Sequence, residues 1–400
     1  MKIKEMKRKL PTTVLILGLV SFFNDLASEM VTPFIPILIA TVLGAGPIVL
    51  GLVEGVAEAV ASLLKLWSGH FSDARPGRRK QLVVFGYSLS NVARPLIGLV
   101  SGWGGLMLLR SIDRVGKGIR GAPRDALLAN AVENGMHGYA FGFQRALDNA
   151  GAVGGSLLAI VAIAWAGWSI STVILWSAVP GVLVLLLLIF GVREPAPQKL
   201  KPDTPIAPLS WTSLSPSMRR YLWVLILFTF ARVSEGFILL RGNELGMSMV
   251  QILFLWAALS MTKAITSTYG GRMADAFGLG RLTMIGWLGY GLSFLAFSQV
   301  SQISTLWASV IGYGLVTGLS EGSERALISA NANEHERGTA FGWYHLTVGL
   351  SAIPAGIMFG ALWQNWNAGV AFLYAGILAL SCAIFLLYSG LAHKENWRHR

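Results

Sequence analysis

Charge is scarce in this 400-residue chain: 13% of its residues are Asp, Glu, Lys or Arg, against about 25% in soluble domains. Cysteine is nearly absent, with Cys382 alone in an apolar run. That excludes a disulfide framework and a Cys-based metal site. The six histidines are scattered, so no metal centre is expected. No Walker loop or HExxH occurs, so neither enzymatic activity nor a cofactor is expected. Nucleic-acid-binding modules are missing too, and the net charge of +12 does not point to that partner.

Apolar length is abundant. Hydrophobic residues make up 54% of the chain, and the mean hydropathy is +0.59. A bilayer span needs about 20 apolar residues, and twelve can be laid down. The first six run roughly 12–40, 47–68, 81–101, 104–130, 139–165 and 168–191. The last six run roughly 221–241, 248–271, 282–300, 304–330, 338–362 and 368–391. The opening MKIKEMKRKL and its apolar run resemble a signal peptide. That run is too long, and further spans follow, so it reads as a first membrane helix. Trp103, Trp168, Trp223, Trp363 and Trp366 lie near span ends, where interfacial aromatics belong.

The expected fold class is therefore an all-α membrane protein with twelve transmembrane helices in two six-helix, pseudo-symmetric bundles. Residues 1–191 form the N-terminal bundle, 192–220 a Pro-, Ser- and charge-rich linker, and 221–400 the C-terminal bundle. The loops 41–46, 101–103, 166–167, 300–303 and 363–367 carry no charged residue. Lys and Arg gather in the N-terminus, the 69–80 loop, the linker and the C-terminal tail. A monomeric, multi-pass protein of a bacterial-type inner membrane, with both termini cytoplasmic, is the expectation.

The halves repeat. GYAFGF at 138–143 returns as GTAFGW at 338–343, and Arg124-Asp125-Ala126-Leu127 aligns with Glu324-Arg325-Ala326-Leu327 at the same offset. GHFSD at 69–73 returns as GRMAD at 271–275, and Ser28-Glu29 as Ser234-Glu235. Six spans separate the copies, so the repeat is parallel, with its axis along the membrane normal. Spans six, nine and twelve have no ionisable residue in their interiors, and span three has only Arg94. Every third helix is thus expected to face lipid.

The richest stretch is RSIDRVGKGIRGAPRD, residues 110–125. At about 100° per residue its charges fall on one helix face. A mid-bilayer charge costs at least about 2.5 kcal/mol, so the stripe must face protein or water. It serves either structural ion pairing or a solute pathway, and its continuity favours the pathway. Asp25 and Glu29 lie one turn apart on span one, as do Glu54 and Glu58 on span two. Carboxylates so close in low dielectric repel, which favours holding a proton. They are candidate proton-coupling groups unless Arg114, Lys117 and Arg120 neutralise them. Lys263 has no charged neighbour one turn away on its own helix, which makes it, with Arg232, the preferred anion-binding pair. Lys117, Arg120 and Arg145 complete the substrate-binding candidates. Glu324 and Arg325 lie in the charged-loop half of span ten and are expected to form a gate.

With these motifs assembled, the whole chain resembles the major facilitator superfamily. That family's loop signature between spans two and three, G-x-x-x-D-R-x-G-R-R, is similar to Gly69 through Lys80, with one residue added after Asp73. The resemblance implies gating roles for Gly69, Asp73, Arg78 and Arg79, and the repeat extends them to Asp275. The span-four signature R-x-x-Q-G-x-G-x-G is similar to Arg110 through Gly118, with Asp113 in place of Gln. It implies a part in proton transfer for Arg110. The span-five antiporter signature is degenerate, with Gly151 where Pro would stand, which argues against antiport. The implied function is secondary active transport by alternating access, driven by a proton gradient. The solute expected is a small organic anion or zwitterion, with a carboxylate-type siderophore included. The alternative is proton-antiport efflux of drugs or metal ions.

Overall fold

The structure, a computed structural model, describes residues 10–74, 77–132, 137–192, 194, 211–214, 216–277, 279–331 and 337–388. Twelve spans are present, and the described residues contain no strand. In the first half they are α1 (Thr12–Glu29) continued by α2 (Ile35–Ile37), α3 (Pro47–Ala74), α4 (Arg79–Leu96), α5 (Trp103–Asn130), α6 (His137–Ala164), and α7 (Ile170–Trp176) with α8 (Ala178–Leu186). In the second half they are α9 (Pro216–Ala231) continued by α10 (Gly236–Glu244), α11 (Met249–Phe277), α12 (Leu279–Ser298), α13 (Ile303–Asn331), α14 (Arg337–Asn365) and α15 (Ala368–Tyr388). Ten of these spans are long and apolar enough to cross a membrane on composition alone. The other two are α5, which carries the charged stripe, and α12.

The first span of each half is broken at the same place. Pro33 and Pro36 follow Glu29, and the chain passes through a 3-10 turn, Thr32–Phe34, before α2. Proline removes a backbone donor and clashes with the preceding turn, so a continuous helix is not available there. Span seven breaks over residues 232–235 without a proline. Instead the Val233 N–H freed by the break donates to the Tyr290 hydroxyl at 3.1 Å, which satisfies a buried backbone group.

Within the halves α1 packs on α6, α3 on α5, and α4 on α5, while α11 packs on α13 and α12 on α15. Between the halves α3 runs along α14 and α6 along α11. These two pairings are equivalents under the sequence repeat. Close approach at α3–α14 rests on glycine: a Cβ at Gly51 would clash with the Gly356 carbonyl, and one at Gly356 with that of Gly51. Paired small residues let helices approach where lipid supplies no hydrophobic drive.

One apolar core crosses both halves, joining Phe34, Ile39 and Leu50 to Phe237, Leu240 and Phe359. A second core, with Val14, Leu17, Val83 and Leu128, stays within the first half. The shared core, the α2–α10 contact and the approach of Gly46 to Gln364 close the molecule at the uncharged-loop end. Exposed apolar residues such as Phe85 and Val92 on α4, Val182 on α8, Ile285 and Leu292 on α12, and Ile377 and Phe385 on α15 offer a surface to lipid.

Candidate functional site

A cavity of about 420 Å³ lies between the halves. Most of its wall comes from the second half. Arg232 and Glu235 reach it from the break in span seven, Trp256 and Lys263 from α11, and Tyr313, Thr317 and Glu324 from α13. The first half contributes Thr32, Pro36 and Leu50, together with Glu54, Arg110 and Arg114.

Its charges are organised as cross-helix pairs. The Arg232 guanidinium bonds both carboxylate oxygens of Glu324, at 2.9 and 2.7 Å. It also lies 5.0 Å from the centre of the Phe228 ring. The Lys263 ammonium is paired with Glu235, whose same oxygen accepts from the Tyr313 hydroxyl at 3.1 Å. Arg232 and Lys263 keep 33% and 28% of their side chains accessible, so each can take a further acceptor. Arg232 and Glu235, which stand close together at the break of span seven, thus each pair with a residue on a neighbouring helix. Glu324, expected in a gate, lies on the cavity wall as the partner of Arg232.

Aromatic rings make the rest of the second-half wall: Phe228, Trp256, Trp287, Tyr290, Tyr313 and Tyr344. Phe228 stacks on Trp287 with centroids 3.9 Å apart. Trp287 and Tyr290 lie on α12, so span nine faces the cavity as well as lipid, contrary to the expectation for every third helix. A scan for charge is blind to a wall made of rings.

The charged stripe of α5 divides. Arg110 and Arg114 turn to the cavity, whereas Asp113 and Arg120 turn to α4. The Arg94 Nε donates to Asp113 at 2.8 Å, and its Nη1 donates to the backbone carbonyl and side-chain oxygen of Asn24 at 3.2 and 3.0 Å. Asp113 also lies 3.6 Å from Arg110 and 3.9 Å from Arg114. Arg110 in turn bonds Glu54 at 3.3 and 3.4 Å. Arg120 donates to the Ser90 hydroxyl at 2.6 Å and stacks over the Tyr87 ring at 4.3 Å. The stripe therefore divides into a buried ion-pair hub joining α1, α4 and α5, and an edge that reaches the cavity.

Among the other substrate-binding candidates, Lys117 is exposed and outside the cavity wall. Arg145 lies 3.8 Å from Asp148 on its own helix, with 54% of its side chain accessible. Arg120, Lys117 and Arg145 are thus not brought together with Arg232 and Lys263. Of the proton-coupling candidates, Asp25 accepts from the Asn24 amide at 2.9 Å, and Glu58 from Ser62 at 3.1 Å. Glu29 bonds across the halves to the Trp256 indole.

A family model, Major Facilitator Superfamily, matches residues 17–240 and 236–400, which is essentially the whole chain. The chain belongs to the major facilitator superfamily. Over 394 residues it is 33% identical to an MFS-type transporter of Methanocaldococcus jannaschii, covering 97% of each chain. Over 164 residues it is 28% identical to multidrug resistance protein 2 of Bacillus subtilis, covering 39% of this chain and 38% of that one. The crystal structure of the nucleoside transporter NupG superposes with a TM-score of 0.78 at 14% identity, covering 94% of this chain and 99% of that one. At that identity the likeness concerns the fold. This chain is therefore a multi-pass membrane transporter of that superfamily.

The superfamily loop after span two lies partly outside the description. The surroundings of Gly69 and the side chains of Asp73, Asp275 and Arg325 are outside the described residues. Arg78 is exposed. Arg79 opens α4, and its backbone N–H donates to the Glu194 carboxylate at 3.0 Å, as does that of Lys80 at 3.1 Å. A carboxylate there satisfies orphan donors and the positive end of the helix dipole. Sequence reasoning missed this cap, because Glu194 lies 115 residues away. It missed the aromatic wall too, although the ring-rich runs of α12 were the available signal.

Proposed function

We propose that this transporter carries a compact organic anion or zwitterion, coupled to protons, across a bacterial-type inner membrane. It works as a monomer with both termini cytoplasmic, and the proton gradient is its energy source. The observation that carries the reading is the placement of Arg232 and Lys263, two partly accessible cations on the wall of one cavity. A guanidinium presents a fork that matches a carboxylate, and an ammonium adds a second, more mobile donor.

Ion pairing supplies the link to protons. A solute carboxylate arriving at Lys263 competes with Glu235, and a displaced carboxylate in low dielectric is costly unless neutralised. A proton does this for a simple anion, and the solute's own ammonium does it for a zwitterion. Asp25, Glu29, Glu54 and Glu58 offer further proton sites in the first half. A volume of about 420 Å³ is near the lower end of small-molecule sites, about 300–1,000 Å³. It favours a compact solute over a siderophore.

The test is pyranine-reported proton movement in proteoliposomes challenged with a panel of organic acids, amino acids, carboxylate siderophores and cationic drugs. Inward proton flow with one anion, lost in Lys263→Ala and Arg232→Gln, supports the reading. Proton release with cations alone, unchanged in Lys263→Ala, refutes it. That outcome would favour efflux of drugs or metal ions, the second reading, for which the partial likeness to the Bacillus subtilis resistance protein speaks.

A further inference from the structure

One side-chain hydrogen bond recorded among the described residues ties the two halves together. The Trp256 indole N–H donates to the Glu29 carboxylate, and the two residues stand 227 positions apart. Glu29 is the last residue of α1, at the break of span one. Trp256 lies on α11, and its ring is part of the cavity wall. The bond therefore sits between the solute cavity and the closed, uncharged-loop end.

We propose that Trp256 is a positioning residue whose bond to Glu29 latches the uncharged-loop end shut, and that a proton on Glu29 releases it. The proposal rests on the reading of this chain as a proton-coupled transporter. A hydrogen bond to a carboxylate is roughly twice as strong as one between neutral groups, so protonation weakens the latch without moving either residue. The groups facing Glu29 are Asp25 on its own helix, Arg110, Arg114 and Lys117 on α5, Trp256 on α11, and Gly155 of α6 against its Cβ. Trp256 alone among these also touches the cavity and belongs to the other half. A solute pressing on its ring disturbs the same bond that the proton does. Solute and proton thus act on one contact, which is a physical route for coupling.

The experiment needs no knowledge of the solute. Native Cys382 is buried and is the one cysteine, so a Cys382→Ala background accepts spin labels at Val42→Cys and Trp366→Cys. Both sites are exposed, one in each half, at the uncharged-loop end. Distances are measured by pulsed electron resonance in lipid nanodiscs between pH 5.5 and 8.5, for the parent, Trp256→Phe and Glu29→Gln. Phe keeps an aromatic wall and removes the donor; Gln keeps an acceptor and removes the titration. In the parent, acid should raise the long-distance population. Trp256→Phe should already show it at pH 8.5, with an open-to-closed ratio roughly tenfold higher, which corresponds to about 1.4 kcal/mol. Both variants should lose the pH dependence. A parent that does not respond to pH, or a Trp256→Phe variant that titrates like the parent, overturns the proposal. Failure of the anion reading would appear in the Lys263→Ala flux and leave these distances unchanged, so the two failures are separable.

Discussion

Asp113 offers the sharpest test of the reading that part of the α5 stripe is a structural hub. Its carboxylate is 2% accessible, and its nearest partner, Arg94, is 4% accessible at 2.8 Å. Arg110 and Arg114 stand within 3.6 and 3.9 Å of it. Replacing Asp113 with Asn keeps the shape and removes the only carboxylate that the recorded ion pairs place beside Arg94. Removing one partner of a buried pair costs about 3–5 kcal/mol, because the remaining charge is left uncompensated. Asp125 supplies an internal control. It pairs with Arg124 at 2.9 Å, but 49% of its side chain is accessible, and exposed pairs contribute about 0–1 kcal/mol. Reversible unfolding in mixed micelles should therefore show a large loss for Asp113→Asn and a small one for Asp125→Asn. Adding Arg94→Gln to Asp113→Asn should recover part of the loss, since the bared guanidinium is then gone. Equal stability for Asp113→Asn and the parent would refute the hub and return Asp113 to the solute pathway.

Three further outcomes follow from the geometry. Gly356→Val should clash with the Gly51 backbone and lower either the folded yield or the transport rate, read by size-exclusion profile and by counterflow; Gly121→Ala, with nothing within 4 Å of its added Cβ, should leave both unchanged. Glu324→Gln should weaken the hold on Arg232 and change solute affinity in counterflow, whereas loss of folding would show that the pair is structural. Ser90→Ala removes both the donor to the Asp113 carbonyl and the acceptor for Arg120; a stability loss of about 1–3 kcal/mol is expected in the micelle assay from buried groups left unsatisfied.

Twelve spans and their parallel repeat were legible in the sequence, and the prolines behind the break after Glu29, Pro33 and Pro36, stand in it, although span one was expected as a single helix over 12–40. Span length is set by bilayer thickness, polar residues are excluded from lipid, and proline interrupts a helix whatever its surroundings. Arg232 and Lys263, which line one cavity, stood out in the sequence because ionisable residues inside spans are rare. What the sequence left open was which charge meets which. The pairing of Arg232 with Glu324, of Lys263 with Glu235 and of Arg94 with Asp113 depends on helices brought together across 92, 28 and 19 residues. Helical periodicity reports a face, not the neighbour that the face meets, so one stripe on α5 could not reveal that half of it serves α4. The aromatic wall and the Trp256–Glu29 contact were decided by tertiary structure alone. Rings carry no charge to betray their direction, and only the packing of α11 against the first half brings an indole N–H to a carboxylate at the end of α1.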